Sequence, residues 1–132
     1  NKILNEQDSS TKKNNEEVLN SLHYIKESGY TILDIVQSGK LDNLGLMFKD
    51  HWEMKKKLSS GVTNDTIDSI YDTALKNGAI GGKISGAGGG GFFTFYCNKN
   101  HASLRSAMAS KGLKELNYSF DLDGSKIISN HR

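Results

Sequence analysis

Five of the chain's 14 glycines fall within six consecutive positions, in the run Lys83-Ile84-Ser85-Gly86-Ala87-Gly88-Gly89-Gly90-Gly91-Phe92-Phe93. Glycine loses more backbone freedom on folding than any other residue, so such a cluster is out of place inside a helix or strand. A tight hairpin turn needs only one or two glycines. Five in six positions suit a loop whose amides another group approaches closely. Successive N–H groups in a loop of this kind form a concave nest for anions, phosphate above all.

Three phosphate-binding patterns compete for the stretch. Residues 86–91 formally satisfy G-x-G-x-x-G, but a dinucleotide site needs a helix to follow, with its N-terminus at the pyrophosphate. Here the aromatic run Phe92-Phe93-Thr94-Phe95-Tyr96-Cys97 follows, which reads as a strand. A Walker A loop needs Gly-Lys followed by Ser or Thr, with a further glycine five positions earlier. Gly82-Lys83 is followed by Ile84, and Asn77 stands where that glycine is required. The reading left is a glycine loop joining strands at residues 82–85 and 92–97.

That arrangement resembles the third motif of the GHMP kinases, the superfamily of galactokinase, homoserine kinase, mevalonate kinase and phosphomevalonate kinase. His51-Trp52-Glu53-Met54-Lys55-Lys56-Lys57-Leu58, then Thr63-Asn64-Asp65-Thr66-Ile67-Asp68-Ser69-Ile70-Tyr71, then Gly78-Ala79-Ile80-Gly81-Gly82-Lys83 extend the match. They look like the branch holding bacterial heptose 7-phosphate kinases and the kinase part of fucokinase-like proteins. The resemblance covers roughly the last two-thirds of the chain. It implies an α+β fold with an antiparallel, ferredoxin-like sheet packed against helices, as in the C-terminal domain of those kinases.

It also implies a function: transfer of the ATP γ-phosphate to a small sugar or alcohol, with a heptose 7-phosphate phosphorylated at its anomeric hydroxyl as the first expectation. Fucose, galactose and mevalonate remain open, and so does a different class, a stand-alone ferredoxin-like ligand-binding or regulatory module. In the family the glycine loop packs beside the phosphate-binding loop of the other domain, a role carried onto Ser85, Gly86, Ala87, Gly88, Gly89 and Gly90 as cofactor-binding residues. Lys83 reads either as a partner for substrate phosphate or as a solvated edge lysine. The family's Pro-x-x-x-Gly-Leu-Gly-Ser-Ser-type loop is not here in its usual form, since the chain has no proline. ATP and Mg²⁺ are accordingly expected to be held mainly by an N-terminal half, this chain's own domain partner. No catalytic residue or metal ligand is assigned to the chain, and alone it is expected to be inactive.

Composition agrees with a single domain. At 132 residues and 36% hydrophobic, the chain has enough apolar residues for one modest core. It opens at Asn1, and none of Met47, Met54 and Met108 is placed to start it, which suggests a piece of a longer protein. The net charge of +2 mixes 17 basic with 15 acidic residues, and the lysine clusters are not interleaved with aromatics, which argues against nucleic acid. No apolar run approaches membrane-spanning length. The single cysteine, Cys97, excludes an internal disulfide and fits a reducing, cytoplasmic setting. Without CxxC or HxxxH spacing among Cys97, His23, His51, His101 and His131, a structural metal is not expected. An apolar face left by an absent partner half would favour self-association as a homodimer.

Periodicity supplies the elements. Val18, Leu19, Leu22 and Ile25 recur at helical spacing behind an Asn14 or Asn15 cap, and Gly29 reads as that helix's stop. A short second helix carries Ile32, Leu33, Ile35 and Val36 to Gly39. Leu41, Leu44, Phe48, Trp52, Lys55 and Leu58 mark a third helix, with Gly45 allowing close packing and Trp52 reading as core. Thr63 or Asn64 caps a fourth, whose buried stripe is Ile67, Ile70, Tyr71, Ala74 and Leu75. The aromatic strand is apolar on both faces, hence central in its sheet. Asn98 or Asn100 then caps a helix ending at Gly112. Leu116, Tyr118 and Phe120 alternate as a half-buried strand, and Ile127-Ile128 supplies a last one.

Overall fold

A computed structural model describes residues 5, 8–9, 16–58, 61–86 and 90–119. Among them the order is α1 (Glu16–Ser38), α2 (Leu41–Leu58), α3 (Asp65–Lys76), β1 (Gly81–Ser85), β2 (Phe92–Tyr96) and α4 (His101–Ser110), an α+β arrangement.

The first 23-residue helix absorbs both of the short helices expected from the sequence. Gly29 does not stop it: the residue stays helical, exposed, with nothing near its Cα. An interior glycine weakens a helix by only about 1 kcal/mol, which packing along the rest of α1 overrides. The real stop is Gly39, whose φ of +70° turns the chain. Leu41 N–H then bonds Gly39 O at 2.9 Å and α2 begins, folding back on α1 as a helical hairpin.

Asn64 caps α3 as expected, its Oδ1 accepting from Ile67 N–H at 3.0 Å. This helix buries Ile67, Ile70, Tyr71 and Ala74, with Leu75 half-buried beside them. The core joins Trp52 from α2, Val62, Ile67 and Tyr71 from α3 and Ile84 from β1, with Phe93 and Phe95 against it. Trp52 stacks on Tyr71 with ring centroids 6.2 Å apart. It is a core residue, 1% exposed.

β1 and β2 pair antiparallel with Ile84 opposite Phe93 and Lys83 opposite Thr94. Partners in register share a face. Ile84, Phe93 and Phe95 therefore turn toward the Trp52 and Tyr71 cluster, while Gly81 and Lys83 turn toward α2. There the helix and strand touch backbone to backbone: a Cβ on Gly81 would lie 1.9 Å from Gly45 O. Gly45 does allow close packing, against the strand and not another helix.

Three expectations fail or fall outside view. The aromatic strand is not central among the described residues, where the sheet has two strands and Phe92 is 65% exposed. Leu116 and Tyr118 form no strand; both are exposed and outside regular structure. Phe120 and Ile127-Ile128 lie outside the described residues.

Three outward backbone groups of β1 meet side chains. Tyr71 Oη donates to Gly82 O at 3.0 Å and accepts from Gly82 N–H at 3.2 Å. Two residues on, hence on the same side of the strand, Ile84 O accepts from Lys55 Nζ at 3.2 Å.

Candidate functional site

The glycine bend begins where β1 ends and returns as β2. Both shoulders need glycine: φ is +139° at Gly86 and +130° at Gly91, a region side chains disfavour. A Cβ on Gly91 would also lie 2.3 Å from Ser85 O, so the strands close against bare backbone. Ser85, Gly86 and Gly90 are exposed, and space around Gly90 is open. Ala87, Gly88 and Gly89, expected in the same site, lie outside the described residues. The bend is therefore open on its described shoulders, as a ligand-facing loop requires. The concave depression of about 280 Å³ lined by Asp65, Thr66, Ser69, Ile70 and Lys111 shares no residue with it.

Two ammonium groups attend the bend. Lys55, projecting from the last turn of α2, donates to Gly86 O at 2.8 Å as well as to Ile84 O. Lys83, from β1 itself, sits with Nζ 5.0 Å from the centroid of the Phe48 ring, a cation–π distance. Burial holds the Lys55 ammonium below its usual pKa, and the Lys83 charge adds to that depression. Neither is paired with a carboxylate by any contact described, whereas neighbouring Lys56 has Glu53 at 2.9 Å.

His51 is tied to α1. The Ser28 hydroxyl donates to Ile25 O at 2.7 Å, so its oxygen accepts the close contact from His51 Nε2, which assigns the ring proton to Nε2. Tyr24 meets the ring edge-on at 5.9 Å. Burial lowers the His51 pKa, Lys83 lowers it further, and Asp50 opposes both. This histidine braces the helical hairpin, with its titration coupled to the bend's lysine.

Sequence reasoning singled out Lys83 and gave Lys55 only a place in the spacing of the helix, with no role at the bend. The signal was there: Lys55 occupies the apolar stripe of Phe48 and Trp52, where a lysine needs a reason to be. Tyr71 was placed in the core, but its hydroxyl bonds to Gly82 could not be read from spacing. Cys97 follows β2, its thiol donating to Lys99 O at 2.6 Å. His101 is exposed at the start of α4. No group of three or more His, Cys, Asp or Glu side chains converges among the described residues. No described helix is long and apolar enough to cross a membrane.

An α+β domain with a glycine bend between antiparallel strands fits the C-terminal domain of the GHMP kinases. The profile described as GHMP kinases C terminal matches residues 32–114, and the chain belongs to that family. It is 31% identical over 113 residues to the D-glycero-alpha-D-manno-heptose 7-phosphate kinase of Campylobacter jejuni, across 84% of this chain and 33% of that protein. Over 87 residues it is 31% identical to the L-fucokinase/L-fucose-1-P guanylyltransferase of Bacteroides fragilis, across 66% of this chain and 9% of that protein. It thus spans about a third of the first relative's length and a small part of the second's, and both are kinases by name.

Proposed function

We propose that the chain is the C-terminal part of an ATP-dependent sugar kinase that phosphorylates the anomeric hydroxyl of a heptose 7-phosphate. The observation that carries this reading is the open glycine bend with two ammonium groups at its base, within a family whose members transfer phosphate. ATP, when bound, supplies the transferable γ-phosphoryl group. The sugar oxygen forms the new bond to phosphorus as the bond to the ADP oxygen breaks, and the hydroxyl proton leaves to base or solvent.

In this reading Ser85, Gly86 and Gly90, with Ala87, Gly88 and Gly89 of the same run, border the nucleotide phosphates. Lys83 offers positive charge to the acceptor side, where it lowers the energy of a multiply charged transition state. ATP and Mg²⁺ are held chiefly by an N-terminal half that completes the cleft, and the setting is cytoplasmic. The choice of heptose rests on the Campylobacter relative's name and its coverage of 84% of this chain, against 66% for the fucokinase-type relative.

Gly90 provides the test. No described atom lies within 4 Å of a Cβ there, so Gly90→Val should leave the fold intact. In the full-length parent, incubated with Mg-ATP and a panel of heptose 7-phosphate, L-fucose, galactose and mevalonate, ADP release should be fastest with the heptose phosphate. Gly90→Val should lower kcat/KM for ATP at least about tenfold with an unchanged Tm. The 132-residue chain alone should give no turnover. Equal kinetics in the variant would remove the bend from the nucleotide site, and faster turnover of another acceptor would replace the heptose.

A further inference from the structure

We infer that Lys55 and Lys83 form a two-ammonium site for a dianionic phosphate group at the base of the glycine bend, with Lys55 as its fixed member. The inference deepens the kinase reading by giving the bend a phosphate-binding element carried entirely by this chain. Lys55 is held by Ile84 O at 3.2 Å and Gly86 O at 2.8 Å. Two acceptors fix an ammonium that has three donors, so one N–H stays available to a ligand. Lys83 is poised by the face of Phe48, which stabilises the cation without neutralising it.

Burial and then the Lys83 charge disfavour the protonated form of Lys55. Neutral partners alone, carbonyls and a ring, surround them in the described contacts. Such repulsion is relieved by an anion shared between the two, and a phosphate dianion supplies oxygens for both. Lys56, next to Lys55 on the helix, already pairs with Glu53 at 2.9 Å and provides an internal control. The phosphate could belong to an acceptor that carries one already, or to the nucleotide; the same lysines would serve either.

Titration of the 132-residue chain with inorganic phosphate, followed by amide NMR at constant ionic strength, tests the site. Saturable shifts are expected at Lys55, Lys83, Ser85 and Gly86, with potassium chloride giving none. Lys83→Met and Lys55→Met should each weaken binding at least about tenfold, while Lys56→Met leaves it within twofold. Should Lys55→Met unfold, Lys55→Arg keeps the charge and should retain binding, so Lys83→Met carries the test. Competition assigns the source: displacement by a hexose 6-phosphate marks an acceptor phosphate, and displacement by Mg-ATP alone marks the nucleotide. Absence of saturable shifts, or equal losses in Lys56→Met, overturns the inference. Turnover by the parent is measured separately, so a kinase without this site and a site without kinase activity are told apart.

Discussion

Tyr71→Phe removes one oxygen and two buried hydrogen bonds. The phenol closes a ring of contacts with a single glycine, donating to Gly82 O at 3.0 Å and accepting from Gly82 N–H at 3.2 Å. Phenylalanine keeps the packing against Trp52 at 6.2 Å and Phe95 at 5.8 Å, so no large cavity opens. What remains is a peptide N–H and a peptide C=O with no partner, beside a side chain only 5% exposed. An unsatisfied buried polar group costs about 1–3 kcal/mol, so the pair should cost about 2–4 kcal/mol. For a chain of this length that corresponds to a fall in Tm of roughly 6–15 °C. Urea unfolding followed by tryptophan fluorescence suits the assay, because the single Trp52 lies against the substituted ring. The phenol adds a second readout. Burial raises its pKa from 10.0 to about 12, the Gly82 bond partly opposing. A folded pKa above the unfolded one means the native state holds the proton longer. The stabilisation is therefore complete below pH 10 and is lost as pH rises toward 12. Tyr71→Phe should make that alkaline decline shallower, the rest belonging to Tyr24 and Tyr96, whose pKa values are also raised. A loss under about 1 kcal/mol, with the decline intact, would show that water satisfies Gly82 and that the phenol is only packing.

Other substitutions probe other joints. Gly81→Ala drives a methyl to within 1.9 Å of Gly45 O, backbone that cannot step aside, and should destabilise by about 3 kcal/mol or more in chemical denaturation. Asn64→Ala removes the α3 cap and should lower stability by about 1 kcal/mol without changing the urea m-value. Lys83→Met should raise the His51 titration midpoint, read from imidazole NMR shifts, because one of the charges opposing imidazolium is gone; a midpoint that falls would refute the coupling. Because the native His51 pKa lies below 6.5, its share of stability is present above that pH and is lost as pH falls, a loss that Lys83→Met should reduce.

The elements that were legible in the sequence are those whose signal is local. The α2 stripe, the Asn64 cap and the strand, glycine bend, strand order all follow from spacing and backbone preference. Gly29 misled because helix termination by glycine is a modest local preference that packing of a long hairpin easily exceeds. Leu116 and Tyr118 misled in the opposite direction: alternation promises a strand only if a neighbour pairs with it, and among the described residues none does. The site divides in the same way. Glycine density announced the bend, whereas the Lys55 contacts link residues 29 and 31 positions apart and leave no periodic trace. A lysine standing in an apolar stripe was the available clue.

Because a phenol and an ammonium already take Gly82 N–H, Gly82 O and Ile84 O, the β1 edge resists a further strand. Among the described residues the side beside β2 is the more open one for a strand from another part of a longer protein or from a neighbouring molecule. The same arrangement makes the β1 border conditional on two side chains. Losing both Tyr71 and Lys55 would bare Gly82 and Ile84 to intermolecular strand addition and turn a finished edge into a seed for polymerisation.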